Sequence, residues 1–300
     1  MSRSTRYSEI FNSIQGEGNY TGVPTLWLRY FLCNLQCDGF GQDEPTKPET
    51  YDLPYERIDI TDISRVEDLP VFEKGCDSSY TWSKKFRHLM QEGTPEQIKQ
   101  RLQDCLRTES NPEGLFMHPR SKQHMHMCFT GGEPLMKHAQ QNSIDIIRLF
   151  LEDDNAPASV TYETNGTQKL TSEFIEAWQY FQDQGIELFL SVSPKLWTVA
   201  GEKRSRAIKP EYVAEYARLT DKGQLKFVVG APEEQWVDME EVIDLFREQL
   251  VDYPIWVMPT GAREEEQLAS AGDVAVKAFE RGYNVSARVH TYLFGNAIGT

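Results

Sequence analysis

Phe31-Leu-Cys33-Asn-Leu-Gln-Cys37-Asp-Gly-Phe40 decides how the rest of the chain is read. An apolar run, from Pro24 to Cys33, leads into it, and its two cysteines are separated by three residues. Thiolates are soft donors that suit iron–sulfur clusters or zinc. Two cysteines cannot close a four-iron cluster, so a third is needed. Position 40 would continue the pattern but is Phe40; the candidate is Cys76, in Gly75-Cys-Asp-Ser-Ser-Tyr-Thr-Trp82, with 38 residues intervening. The alternative for Cys76 is a buried structural thiol, since free cysteine is among the most buried residue types.

The chain around this pair has 300 residues, enough for a sizeable core as one α/β domain or two smaller ones. It contains no apolar run of about 18 residues, so no transmembrane helix is expected. The start, Met1-Ser-Arg-Ser-Thr-Arg-Tyr-Ser8, lacks the apolar segment of a secretory signal. Five cysteines, an odd number, without an export signal argue for a reducing cytoplasm and against a disulfide framework. The formal charge of −15 disfavours broad binding to nucleic acid or anionic membrane. Much of that acid sits in residues 38–75, read here as a solvated acidic insertion in a single domain spanning 1–300.

Upstream, Tyr7 to Gly18 ends in the corner Gln15-Gly-Glu-Gly18, where the glycines permit close approach to a ligand. Taken alone this is a weak signal, because most such strings are only turns. Pro24 to Cys33 reads as a strand interrupted by one charge, Arg29. A charge in a buried strand must be paired or face a cavity. A guanidinium there could grip a substrate carboxylate or serve a structural salt bridge.

Downstream, Thr94-Pro95-Glu96 opens a helix to about Arg107 that carries Cys105, a structural cysteine. His124, His126 and Cys128 alternate along the next strand. A zinc site is conceivable, but residues two apart on a strand diverge by roughly 6–7 Å per step, and a core strand is the better reading. The strand ends in Thr130-Gly-Gly-Glu-Pro134, where Glu133 could receive an ammonium group. Strands and helices then alternate, with polar motifs at the strand ends: Glu163-Thr-Asn-Gly-Thr167, Ser193-Pro-Lys195 and Pro259-Thr-Gly261. The strand from Gln224 carries Lys226, and Asn284 to His290 is expected as the last strand. This alternation predicts an α/β fold, a parallel sheet with helices outside, and ligands at the C-terminal strand ends.

Together these motifs resemble the 7-carboxy-7-deazaguanine synthase family of radical S-adenosylmethionine (SAM) enzymes. They are Q-G-E-G, L-W-L-R-Y, C-N-L-Q-C, C-D-S, T-G-G-E-P, E-T-N-G-T, S-P-K, L-K-F-V and R-V-H, spread from about Tyr7 to Gly295. The resemblance implies a partial (βα)6 TIM-like barrel. Cys33, Cys37 and Cys76 would hold a 4Fe–4S cluster whose open iron chelates SAM. A 5′-deoxyadenosyl radical would abstract hydrogen from 6-carboxy-5,6,7,8-tetrahydropterin. Ring contraction with loss of ammonia would give 7-carboxy-7-deazaguanine for the preQ0 and queuosine pathway.

Carried over by position, Ile14, Gln15, Gly16, Arg29 and Thr130 would contact the substrate. Gly132, Glu133, Ser193, Pro194, Lys195 and the loop Met258, Pro259, Thr260 and Gly261 would hold SAM. Ser78 stands where the family uses Thr to bind Mg2+. A flavodoxin-like or other electron donor and a homodimer are implied as partners. The long separation of Cys37 from Cys76, Ser78 in place of Thr, and a tail from Phe294 to Thr300 depart from the family pattern. Two rivals remain: an activating enzyme that makes a glycyl radical on a partner protein, and a zinc-stabilised α/β binding module. The second leaves T-G-G-E-P and S-P-K unexplained.

Overall fold

The computed structural model describes residues 4–299. The strands are β1 (Thr5–Ile14), β2 (Pro24–Tyr30), β3 (Gln91–Gly93), β4 (His126–Gly131), β5 (Ser159–Thr164), β6 (Glu187–Val192), β7 (Gly223–Val229), β8 (Ile255–Pro259) and β9 (Asn284–Val285). The helices are α1 (Pro54–Arg57), α2 (Pro95–Leu106), α3 (Lys137–Glu152), α4 (Ser172–Asp183), α5 (Trp197–Ala200), α6 (Arg204–Ala207), α7 (Pro210–Leu219), α8 (Glu233–Glu248), α9 (Glu264–Glu280) and α10 (Val289–Phe294).

The strands form one sheet in the order β3-β1-β2-β4-β5-β6-β7-β8-β9. β3, β1 and β2 pair antiparallel at one edge, and every pair from β2 to β9 is parallel. From β4 onward the order never reverses. Right-handed crossovers running in one direction place the helices on one face, so the sheet curls around the other. This is the partial TIM-like barrel the motifs imply.

The side-chain period of two separates the faces. Leu28, Tyr30, Met127, Phe129, Val160, Tyr162, Leu188, Leu190, Leu225 and Phe227 join the apolar core on the outer face. The alternate positions carry Arg29, Thr130, Glu163, Ser191 and Lys226, which line an interior cavity. The register sets Arg29 beside Thr130, and Glu163 beside Ser191.

Local signals fix the ends of several elements. Thr94 and Gln97 form a reciprocal capping box at α2, with Pro95 in its first turn. Thr171 caps α4 by accepting from Phe174 N. Cys105 lies on α2, half-buried. His126 is buried between Thr161 Oγ1 (2.6 Å) and Ser159 Oγ (2.7 Å). Among the described residues no group of three or more His, Cys, Asp or Glu side chains closes on a single metal ion. No helix among them is long and apolar enough to cross a membrane.

Two expectations need correction. The last strand stops at Val285, and His290 lies on α10. The strand ends because Val289 N turns back to donate to Gly16 O at 2.9 Å. Residues 38–75 are also more than solvated surface. Tyr55, Val66, Leu69 and Phe72 form a small core with Tyr80, Phe86 and Leu89, which Ile298 joins. The same stretch carries eleven carboxylates.

Candidate active site

β2 delivers the chain into the cysteine loop, and the loop is strained. Leu32 has φ +94° and Cys37 φ +56°, values that non-glycine residues rarely adopt. Surrounding contacts hold it there. Leu32 N donates to Thr81 O (2.7 Å), and Leu32 O accepts from Glu133 N (2.9 Å). Glu202 Oε1 accepts from both Gln36 N (2.7 Å) and Cys37 N (2.9 Å). Asn165 Nδ2 reaches Cys33 Sγ at 3.8 Å and Asn34 Oδ1 at 3.1 Å. Gly132 must be glycine because a Cβ there would stand 2.1 Å from Leu32 O.

The insertion returns to its point of departure. Gly75 N donates to Phe40 O at 2.8 Å, so Cys76 emerges beside Cys37 despite the intervening chain. All three cysteines are free and line one cavity of about 620 Å³. Burial, with Glu133 nearby, pushes the Cys33 thiol up to about 11; burial, with Asp77 nearby, pushes Cys76 up to about 12. Burial also raises Cys37, and the other two thiols add to the effect. Metal binding at such thiols must therefore release protons. Three soft donors on one wall suit a cluster held at three separate irons, a geometry that does not require them to converge on one ion.

The cavity is also lined by Ile14, Gln15, Gly16, Arg29, Ser78, Thr130, Gly132, Ser193, Lys195, Met258, Thr260 and Gly261. Pro194, Pro259 and Glu133 are not on its wall. Glu133 is buried behind it, where its oxygens accept from Leu135 N (2.9 Å), Thr164 Oγ1 (2.7 Å) and Asn165 N (2.8 Å). Burial pushes its pKa up to about 7 against those bonds. Lys195 Nζ contacts Ser193 Oγ (3.0 Å) and lies over the Phe40 ring. Gln267 donates to Pro259 O and Gly261 O, both at 2.8 Å, fixing the loop after β8. Ser78 Oγ sits 3.1 Å from Asp77 Oδ1. Arg29 Nε donates to Glu9 Oε1 at 2.5 Å, so the guanidinium is both paired and cavity-facing.

Ion pairs between charges far apart in the chain tie this site together. Glu17 pairs with Lys226 and with Arg288 Nε (3.0 Å), and Arg288 Nη2 reaches Asp77 Oδ2 (3.1 Å). Burial would raise the Glu17 carboxyl, but Lys226 and Arg288 hold it far below the carboxylate range. Gln15 Nε2 donates to Glu163 Oε1 (3.1 Å), and Thr130 Oγ1 approaches Glu163 Oε2 (3.4 Å). A lysine inside the apolar run Leu225-Lys-Phe-Val was the signal available for Lys226. Arg288 was visible only as part of the R-V-H motif, within a stretch expected as strand; the structure places it beyond β9, where it turns back toward Glu17 and Asp77.

The open, mostly parallel barrel thus carries three cavity-facing cysteines in the loops that follow β2. No family model matches the chain. It is 24% identical to the 7-carboxy-7-deazaguanine synthase of Rhodopirellula baltica over 98% of this chain and 88% of that protein. It is 25% identical to that of Halobacterium salinarum over 97% and 90%. The crystal structure of QueE from Escherichia coli superposes with a TM-score of 0.52 at 17% identity, covering 96% of this chain and 95% of the other, a likeness of fold. Over nearly its full length the chain is thus similar to curated 7-carboxy-7-deazaguanine synthases.

Proposed function

We propose that the protein is a radical SAM carbon–nitrogen lyase that converts 6-carboxy-5,6,7,8-tetrahydropterin to 7-carboxy-7-deazaguanine with loss of ammonia. The observation that carries this reading is the convergence of Cys33, Cys37 and Cys76 on one cavity with Gln15, Arg29, Thr130 and Lys195. Cys33, Cys37 and Cys76 would hold a 4Fe–4S cluster, which supplies the electron for reductive cleavage of SAM.

The chain's own residues do the rest by position and charge. Arg29, oriented by Glu9, presents guanidinium N–H groups to a substrate carboxylate. Gln15 and Thr130 are held toward the cavity by Glu163, where they contact the pterin beside Ile14 and Gly16. Lys195 and Ser193 face the SAM carboxylate, with Gly132, Thr260 and Gly261 offering backbone groups. Glu133, with Pro194 and Pro259, acts from behind: its three accepted bonds brace the loop after β4 against the strand end of β5. The Ser78 hydroxyl is a hard oxygen donor for a substrate-organising Mg2+. A homodimer and a reduced protein electron donor complete the proposed assembly.

The test is anaerobic reconstitution of wild type and Cys76→Ala, reading iron per chain, 5′-deoxyadenosine, and 7-carboxy-7-deazaguanine by mass spectrometry. Wild type should hold about four irons and form both products; the variant should lose all three signals. Zinc or no metal in wild type would sink the radical reading. SAM cleavage without turnover of the carboxypterin would move the substrate to another class.

A further inference from the structure

One polar group beside the three cysteines has no part in the reaction proposed above, the indole of Trp82. Trp82 lines the same cavity as Cys33, Cys37 and Cys76. Its Nε1 is buried and meets no acceptor at hydrogen-bonding distance among the described residues. Leaving a donor buried without a partner is costly, so such a group calls for an explanation. The Cys76 sulfur supplies one. Burial and then Asp77 raise the Cys76 thiol, and the Trp82 indole works against both.

The backbone brings the two together. Ser79 N donates to Cys76 O (3.1 Å), Trp82 N to Ser79 O (3.2 Å) and Ser83 N to Ser79 O (2.9 Å). These successive turns carry Trp82 back to the wall that holds Cys76. The insertion then seats the ring. Tyr55 meets Trp82 edge-on, with ring centroids 5.6 Å apart and planes at 76°. Tyr55 is held in turn by Phe72, at 6.3 Å, and by its hydroxyl, which donates to Asp38 Oδ1 at 3.0 Å. A Cβ on Gly75 would stand 3.3 Å from Tyr55 Cε1, so the backbone entering Cys76 passes against the same ring. Cys33 has donors of its own, Leu35 N at 3.4 Å and Asn165 Nδ2 at 3.8 Å from its sulfur.

We propose that Trp82 is a positioning residue that donates its indole N–H to the Cys76 sulfur when that sulfur ligates iron, and that the core of the insertion, through Tyr55, holds it there. The inference rests on the reading that Cys33, Cys37 and Cys76 hold a cluster. A neutral thiol is a weak acceptor, whereas the thiolate that metal binding creates is a strong one. One added electron makes the cluster and its thiolates more negative. A donor on the sulfur therefore stabilises the reduced form more than the oxidised form and raises the reduction potential. Were the ring only packing, phenylalanine would serve as well.

The experiment is a redox titration of the anaerobically iron-loaded full chain, followed by electron paramagnetic resonance, for wild type, Trp82→Phe and Tyr55→Leu. Trp82→Phe should keep the iron content of wild type and shift the midpoint potential to a more negative value. Tyr55→Leu should shift it in the same direction by less. In reduced wild type carrying indole-15N tryptophan, pulsed resonance should detect a nitrogen coupled to the cluster, and Trp82→Phe should lose that coupling. Equal potentials in wild type and Trp82→Phe, or no nitrogen coupling in wild type, would overturn the inference. If Trp82→Phe retains too little cluster to titrate, the labelled wild type decides. An unmoved potential in Tyr55→Leu would overturn the part given to the insertion. Wild type that binds no iron would sink the cluster reading itself, a failure distinct from a loaded cluster indifferent to Trp82.

Discussion

Phe129 of β4 and Phe72 of the insertion are both aromatic rings sealed from water, and they are held in opposite ways. Phe129 stacks between Tyr30 and Tyr162, on a strand hydrogen-bonded on both sides. Phe72 touches Tyr55 and Phe86 in a core of seven buried residues. Residues 38–75 contain no strand and only single turns of helix, at Pro48–Thr50, Pro54–Arg57 and Val66–Asp68. Both regions reach the same cavity, and the insertion separates two of the proposed cluster ligands, Cys37 and Cys76. The wall is fixed by ladders and a large core, and the insertion by side-chain contacts and turn hydrogen bonds. Segments of the second kind open at lower free energy than the domain around them.

The largest effect separates the two thiols that the insertion brings into question. Cys76→Ala should abolish cluster retention and SAM cleavage, whereas Cys105→Ala on α2 should retain both; equal iron content in the two variants would remove Cys76 from the ligand set. Next come the two rings. Phe129→Ala should cost about 3–5 kcal/mol of global stability, read as a shifted denaturant midpoint. Phe72→Ala should leave that midpoint nearly in place while hydrogen exchange and proteolysis rise across residues 41–75. A cooperative loss of the whole fold from Phe72→Ala would show that the two regions are one unit.

A smaller effect belongs to the barrel alone. Burial holds His126 neutral, lowering its pKa from 6.5 to about 4. The unfolded chain binds that proton first as pH falls, so stability should decline from about pH 6.5 down to 4, by about 3 kcal/mol at most. His126→Gln should flatten that part of the profile, and an unchanged slope would assign it to other groups. The smallest effect concerns the bridge between regions. Arg263 Nη2 pairs with Glu73 Oε2 at 2.8 Å across half-exposed surface. Arg263→Ala should cost under about 1 kcal/mol yet increase exchange at residues 73–75. If that exchange is unmoved, the insertion is anchored elsewhere.

The same comparison explains what could be read from the sequence. Strands with strict alternation, such as His126 to Gly131 and Gln224 to Val229, declare their faces because one side must be apolar. Helices beginning at Thr94-Pro95 and Thr171-Ser172 carry their own start signals. The cysteine pair and the glycine corners are local chemistry and were equally visible. The small core of the insertion was not, because Tyr55, Val66, Leu69 and Phe72 sit on loops and single turns interrupted by Pro54 and Pro70, with no continuous element to carry a period. The braced position of Glu133 and the chain Lys226–Glu17–Arg288–Asp77 depend on which strand ends meet across the barrel. Thr300, at the end of the tail that departs from the family pattern, lies outside the described residues.

The hydrogen bond from Gly75 N to Phe40 O closes a detour of the chain at the cavity's edge. If Cys37 and Cys76 hold one cluster, that cofactor also fastens the detour shut, as a metal clip closes a loop. Linkage then works in both directions. A loaded cluster steadies the insertion, and every opening of the insertion loosens one of three ligands. Cofactor retention is thereby set by the softer of the two regions, and the oxygen and chelator sensitivity of the enzyme would be tuned by residues such as Phe72 that never touch iron.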